Sequence, residues 1–305
     1  MTEPFLDFRY CLGVDNVTPV NKLLPTKKGF FVQKADNVDI NDDGELLRRE
    51  GFISAYGGTK IHSIWANEDS DLVLFVEDGT LKKFNTDLSS TIILPYVGDS
   101  RMEYVEINKI VYFSNEQVIG FIKDGEVNPF STPTEKFKVR MKGGQVIEYY
   151  KARLYAAKDN VIRYSDVLDL TRMDERSDFI QMEDRVTMIK GVRAGLYVGT
   201  RKKVHFFLGD DPVESKFVTT KVLDVGAYEG SAIKVIDDWG RGAEEPGVMF
   251  ATPYGVYVGR DDALLVQLTP NYSVTVTGTG IITRATAIIK DDRGFNQYLM
   301  VAEIS

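Results

Sequence analysis

The feature that most constrains this chain is a unit that recurs from residue 61 to the C-terminus. Ile61-His-Ser-Ile-Trp-Ala66 precedes Asp71-Leu-Val-Leu-Phe-Val76, an Asp78-Gly79 step and Leu81-Lys-Lys-Phe84. Met102-Glu-Tyr-Val-Glu-Ile107 precedes Lys109-Ile-Val-Tyr-Phe113, then Val118-Ile-Gly-Phe-Ile122 and Asp124-Gly125. The pattern returns at residues 146, 186, 231 and 285, with steps of 41, 44, 40, 45 and 54 residues between unit starts. Each unit is rich in Val, Ile, Tyr and Phe, which suit a pleated surface packed on its neighbours. A period of about 40–50 residues built from short strands and turn signals is the mark of β-propeller blades. The expected fold is therefore all-β: a β-propeller domain over residues 36–305, six-bladed, with five or seven blades as near alternatives. A pair of open sheets in a sandwich is the other arrangement the pattern allows. Helical periodicity is nearly absent; only Asp166 to Arg176 offers a single helical turn.

The sixth unit supplies two strands before Ser305, where a four-stranded blade needs four. Asn37 to Phe52 supplies two more: Val38 to Ile40 and Leu46 to Leu47 flank Asn41-Asp42-Asp43-Gly44. An Asp-Gly step between apolar runs is a strong hairpin signal, since Gly44 takes positive φ without a steric cost. Pairing these four strands would close the ring with both termini and remove two exposed sheet edges. Residues 1–35 read as an extended arm. Pro4, Pro19, Pro25 and Gly29 break any helix, and Phe5, Leu6, Phe8 and Tyr10 give the arm large apolar anchors.

Composition excludes several classes of function. The net charge of −8 argues against a general nucleic-acid footprint. The best basic cluster, Arg201-Lys202-Lys203, reads as a solvated hairpin tip. One cysteine, Cys11, rules out an intrachain disulfide framework. The N-terminus has no basic and apolar leader pattern, and no window approaches a membrane span, so a soluble chain assembled in the cytoplasm is expected.

Asp39-x-Asn41-x-Asp43-Gly44-x5-Glu50 matches the calcium-loop pattern of an EF-hand. Its flanks read as strands rather than helices, which would carry Glu50 away from the turn; a plain hairpin without metal is the expectation. His62 and His205 lie inside strand patterns of different units and read as structural. The acid pairs Asp237-Asp238, Glu244-Glu245 and Asp261-Asp262 read as solvated turns, although paired acids are the machinery of glycosidases. Neither a catalytic residue nor a cofactor or metal site is assigned, and a non-enzymatic protein is expected.

The N-terminal residues also resemble a known signature. Gly13-Val-Asp-Asn-Val17, followed by Ala35-Asp-Asn-Val-Asp-Ile-Asn-Asp-Asp-Gly-Glu-Leu-Leu-Arg-Arg-Glu-Gly51, resembles that of bacteriophage tail proteins. It is similar to the β-propeller hub or nozzle proteins of short-tailed phages. Leu196-Tyr-Val-Gly-Thr200 with Phe206-Phe-Leu-Gly209, and Gly255-Val-Tyr-Val-Gly259 with Gln267-Leu-Thr269, agree with it. The resemblance implies a virion component in the phage tail that forms a ring homo-oligomer, a hexamer if nozzle-like, around the DNA exit channel. Neighbouring tail or adaptor proteins, and tail fibres, would be its partners during DNA ejection, with no sequence-specific contact to nucleic acid. The chain is short for a nozzle with inserted domains, which leaves a simpler hub, adaptor or tail-tip protein open. The alternative class is a propeller that binds or hydrolyses glycans, for which Trp65 and Trp239 are the available stacking platforms.

Overall fold

A computed structural model describes residues 10–23, 29–35, 38–40, 44–48, 54, 56–67, 71–213, 217–237, 244–270, 282–292 and 295–304. Among these residues the chain is built from strands, with one short 3-10 turn at Val20–Lys22. No helix is long and apolar enough to cross a membrane. Five four-stranded antiparallel sheets follow one another along the chain. Blade 1 joins Ile61–Ala66, Val73–Glu77, Thr80–Phe84 and Ser90–Leu94, and blade 2 joins Glu103–Ile107, Ile110–Ser114, Ile119–Lys123 and Glu126–Pro129. Blade 3 joins Val146–Tyr150, Arg153–Lys158, Val161–Tyr164 and Phe179–Gln181. Blade 4 joins Val186–Gly191, Gly195–Thr200, Val204–Leu208 and Val218–Leu223. Blade 5 joins Ile233–Asp237, Glu245–Thr252, Gly255–Gly259 and Leu265–Gln267. This is the β-propeller type of architecture, in which each inner strand begins a blade and the next three step outward.

Tight turns set the register. Asp78-Gly79 and Asp124-Gly125 both hold two successive residues at positive φ, the conformation of the type I′ hairpin that the Asp-Gly steps predict. Asn108-Lys109 and Lys151-Ala152 adopt the same left-handed pair without a glycine. Packing then follows from strand alternation. Val111 and Phe113 enter a core shared with Leu74, Val76 and Leu81 of blade 1. Tyr112, between them, enters a separate core with Ile147, Leu154 and Ala156 of blade 3. Leu196 and Val198 face Tyr155 and Ile162 of blade 3, whereas Tyr197 faces Val248 and Phe250 of blade 5. Both faces of each middle blade are thus buried, which is why their second strands read as unbroken apolar runs. At the blade 3–4 and 4–5 boundaries a tyrosine ring fills the space above a glycine. A Cβ at Gly191 would come within 2.9 Å of Tyr150, and one at Gly259 within 2.6 Å of Tyr197.

A two-stranded terminal hairpin, Ile282–Asp292 with Phe295–Ile304, follows blade 5. The Ala285 N–H donates to the Glu229 carbonyl at 2.7 Å, and the Tyr298 hydroxyl donates to the Ser231 carbonyl at 2.6 Å. These contacts fix one face of the hairpin against blade 5. Its other face carries the cross-strand partners Thr286 and Val301, and Ile288 and Leu299. On this face Val301 is 76% and Ile288 55% exposed.

Three expectations change. The hairpin at the N-terminal end forms, as Val38–Ile40 with Leu46–Arg48 and Gly44 at φ +75. However, it and the terminal hairpin are separate two-stranded sheets, not paired with each other among the described residues. The Gly44 carbonyl instead accepts the Cys11 N–H at 2.8 Å. Within the arm, Cys11–Val14 pairs in parallel with Phe30–Val32, so this stretch is tied into a small sheet rather than left extended. Residues 166–176 form no helix. Leu168 sits at φ +63, Asp169 accepts the N–H and hydroxyl of Thr171, and Arg172–Asp174 pairs with Lys138–Arg140. An Asx turn satisfies the backbone locally and ends any helical turn there.

Candidate functional site at the propeller axis

The inner strands converge on the axis, and in blades 2 to 5 each one carries an ionisable residue among its apolar neighbours. These are Glu103, Glu148, Lys190 and Lys234. Glu148 is almost completely buried, and its two carboxylate oxygens reach different cations. Lys234 of blade 5 donates to Oε1, and the Lys190 ammonium stands 3.7 Å from Oε2. Glu103 accepts Arg101 Nη1 at 2.6 Å on one oxygen and the Ile147 N–H at 3.2 Å on the other. Arg101 itself reaches toward the terminal hairpin: a Cβ on Gly230 would lie 2.7 Å from its guanidinium carbon and 2.0 Å from the Ala285 carbonyl. Charges of alternating sign, Arg101, Glu103, Lys190, Glu148 and Lys234, thus line the axis across blades 2 to 5, with direct pairs at Arg101–Glu103, Lys190–Glu148 and Lys234–Glu148.

The electrostatics of this chain decide what it can do. Burial disfavours the charged form of Glu103, but the charges of Arg101 and Lys190 and the Ile147 N–H outweigh it. Its carboxyl is held below the ordinary glutamate value. A general acid for neutral pH needs the opposite shift. Both axial carboxylates are saturated by cations and backbone donors, so the arrangement braces the blades and offers little proton transfer.

A second fan of ion pairs spans neighbouring blades. Arg185 donates to Glu116 at 2.7 Å, to Asp159 at 2.9 Å and to Glu229 at 3.4 Å, drawing on loops of blades 2, 3 and 5. Its guanidinium supplies the planar set of donors that such convergence needs.

The seam where the terminal hairpin meets blade 1 is packed differently. A cavity of about 380 Å³ opens between His62, Ser63 and Ile64 on one side and Thr286, Val301 and Glu303 on the other, with Arg101 beside it. Ser63 is at φ +56, inside a bulge where the register between inner and second strand shifts. Its hydroxyl accepts the Met102 N–H at 2.8 Å and contacts His62 Nδ1 at 2.8 Å. Bulges of this kind re-aim side chains and bend the strand that carries them. Tyr56, from the N-terminal side of the chain, covers the adjoining face of blade 1, packing edge-on to Phe75 and Phe84. Its hydroxyl donates to Glu77 at 2.9 Å. Tyr56 and the terminal hairpin thus both lie beside blade 1.

The residues singled out by sequence are dispersed. His205 is buried and contacts Glu183 at 2.8 Å. Trp65 stacks on Tyr104 at 5.6 Å and packs against the blade 1–2 core, so it is not an open sugar platform. Trp239, Asp238, Asn41, Asp43 and Glu50 lie outside the described residues, as do the side chains of Asp39 and Asp237. Asp261 accepts the Ala194 N–H and pairs with Arg193, and Asp262 accepts the Leu264 N–H; both serve turns. Glu244 is exposed, and Glu245 opens the second strand of blade 5 opposite Asp237. Arg201-Lys202-Lys203 forms the expected hairpin tip, with Lys202 3.7 Å from Asp184 and Lys203 3.8 Å from Glu183. Among the described residues no group of three or more His, Cys, Asp or Glu is placed to hold a metal ion. The axial charges do have a sequence signal. A single charge interrupts the inner-strand run in Val146-Ile-Glu-Tyr-Tyr150, in Val186-Thr-Met-Ile-Lys190 and in Ser231-Ala-Ile-Lys-Val-Ile236.

No protein-family model and no curated protein matches the chain. Solved structures similar to it include PorZ, a surface component of the type-IX secretion system of Porphyromonas gingivalis, at 10% identity and a TM-score of 0.48. That match covers 82% of this chain and 31% of PorZ, so the chain spans about a third of that protein's length. Virginiamycin B lyase from Staphylococcus aureus is similar at 12% identity and a TM-score of 0.47, over 78% of this chain and 83% of the lyase. The AfRom2 CNH domain is similar at 8% identity and a TM-score of 0.46, over 87% and 85% of the two chains.

Proposed function

We propose that this protein is a structural subunit of a bacteriophage tail, of the hub or nozzle type, that assembles as a ring around the path of the exiting DNA. The observation that carries the reading is the axial chain of ion pairs. Lys234 and Lys190 close on the buried Glu148 from two different blades, so the axis is part of the packed scaffold. An axis bridged by side chains leaves no passage for a duplex through a single propeller. DNA would pass through the middle of a ring of subunits, with each propeller as a wall element. The acidic balance of the chain suits a wall that must not grip the phosphate backbone. The N-terminal signature over residues 13–17 and 35–51 supplies the phage-tail part of the reading. A six-membered ring, contacts to adaptor and fibre proteins, location in the virion and the lack of enzymatic activity belong to the same proposal.

The test is assembly. Purified protein, alone and mixed with the other tail proteins of its phage, is examined by mass photometry and negative-stain microscopy. Closed rings of uniform subunit number are expected. A monomer under every condition would overturn the proposal, as would turnover of a glycan on an array.

A further inference from the structure

We infer that the cleft between the inner hairpin turns of blades 2 and 3 is a binding site for a neutral sugar, one pyranose ring, recognised without being cleaved. The inference goes beyond the ring reading and does not depend on it. A subunit that only binds a sugar is compatible with a structural role; one that hydrolyses a glycan is not. Three observations carry the site.

The first is a pair of phenols. The cleft holds about 290 Å³ and is bordered by Asn108 and Ala152, members of the two left-handed turns that carry no glycine. Tyr112 of blade 2 and Tyr149 of blade 3 line it. Tyr112 is only 8% exposed, and its ring is fixed by Phe121 at 5.7 Å and Phe130 at 6.2 Å. Among the described residues neither hydroxyl makes a hydrogen bond. Buried polar groups nearly always have a partner, so a fixed phenol of this kind on a cleft wall points to a hydrogen-bonding ligand. Burial, and then the nearby Asp169 and Tyr149, hold the Tyr112 phenol above its ordinary pKa, so it stays protonated and able to donate.

The second is an acceptor whose charge is already balanced. Asp169 lines the same cleft. Its Oδ1 accepts the Thr171 N–H at 3.1 Å and the Thr171 hydroxyl at 2.8 Å, and its Oδ2 stands 3.0 Å from Arg172 Nε. The guanidinium supplies the counter-charge, while Oδ2 keeps lone-pair capacity for a ligand hydroxyl. A ligand that accepts from phenols, donates to a carboxylate and brings no charge of its own is a polyol. The third is the apolar lining. Ile107, Ile110 and Leu170 are half-buried along the cleft. Leu168 lines it although 84% exposed, at φ +63 with its N–H on the Ala152 carbonyl at 2.9 Å. A leucine held in left-handed backbone persists only where its surroundings impose it, and here it offers an aliphatic surface to the C–H face of a sugar ring. Apolar walls with a few convergent polar groups are the ordinary make-up of a ligand site.

The experiment is saturation-transfer NMR on the full chain, with the methyl glycosides of glucose, galactose and mannose and with maltotriose as probes. Saturable binding in the millimolar range is expected for at least one of them. Tyr112→Phe and Tyr149→Phe each remove one hydroxyl, and each should weaken that binding about tenfold with the melting temperature unchanged. Tyr254→Phe, at an exposed tyrosine of blade 5, should leave it unaltered. Tighter binding of maltotriose than of the glycosides supports the site with a glycan chain as the source of the sugar; equal binding supports it with a free monosaccharide. No binding of any probe, or binding that survives both phenylalanine substitutions, overturns the site and leaves the ring reading standing. Displacement of the sugar by putrescine, a dication, overturns the neutral class of ligand. Cleavage of maltotriose overturns recognition without turnover, and the structural reading of the protein with it.

Discussion

Replacing Glu148 by Gln removes one charge from the axis while keeping the side chain's shape. Its two cations differ: the Lys190 side chain is 15% exposed and that of Lys234 is 47% exposed. Lys234 can turn to solvent when its partner goes, whereas Lys190 stays largely enclosed and keeps only the more distant Glu103 for company. Stranding a buried charge costs about 3–5 kcal/mol, and breaking an exposed pair about 0–1. With one cation of each kind, Glu148→Gln should destabilise the protein by about 3–6 kcal/mol, a fall of about 5–9 °C in melting temperature for a chain of this size. Calorimetry at neutral pH and low salt measures it. A double-mutant cycle identifies the cause. Adding Lys190→Met to Glu148→Gln should recover part of the loss, because the stranded ammonium is gone. Adding Lys234→Met should recover almost none. A shift below 1 °C for Glu148→Gln, or equal recovery from both methionines, would refute the view that the axis is held by an enclosed charge chain.

Two further outcomes follow from the geometry. Glu103 has its folded carboxyl held below the ordinary value near 4.5. The stability it contributes is present in full above the unfolded value and is lost as pH falls through the lower folded one. Glu103→Gln should therefore narrow its deficit relative to the native protein on acidification below about pH 4.5, as followed by denaturant titration at stepped pH. Gly144→Ala should be among the most damaging changes in the chain. Its Cβ would sit 1.8 Å from the Ala157 carbonyl oxygen, a backbone atom that cannot turn aside. A loss of about 4 kcal/mol or more, or failure to fold, is expected, against a change within about 0.5 kcal/mol for Gly57→Ala, whose Cβ would meet nothing within 4 Å. Thermal melts of the two variants side by side provide the comparison.

The repeat was legible because blade-forming strands have two buried faces, and Ile110-Val-Tyr-Phe113 or Gly195-Leu-Tyr-Val-Gly199 stand out for that reason. The outermost strands did not stand out. Val218–Leu223 is exposed over four of its six residues, and Ser90–Leu94 alternates weakly, so neither carries an apolar signal. Asp166 to Arg176 offered at most a single helical turn, and the Asx turn at Asp169 with the ion pairs of Arg172 to Asp166 and Asp169 decide the conformation instead. Strand count predicted pairing between the two ends of the chain, which the described residues do not show. Strand count says that two strands are wanting, but the N–H that Gly44 would satisfy is set by tertiary contact with Cys11. The axial charges were visible one at a time. Only the stacking of the blades brings residues 86 positions apart, Glu148 and Lys234, into a single contact.

The loosely filled seam has a mechanical meaning. Four cores, each shared by two consecutive blades, make the body from blade 1 to blade 5 a stiff curved stack. Between the terminal hairpin and blade 1 lies a cavity instead. Such a body behaves as a split washer: it can gape or tighten at one slot while every stacked contact stays intact. Load applied to the rim would be taken up at Ile61–Ile64 and Thr286–Val301 before any core yields. Exchange of amide hydrogens should be fastest along that slot.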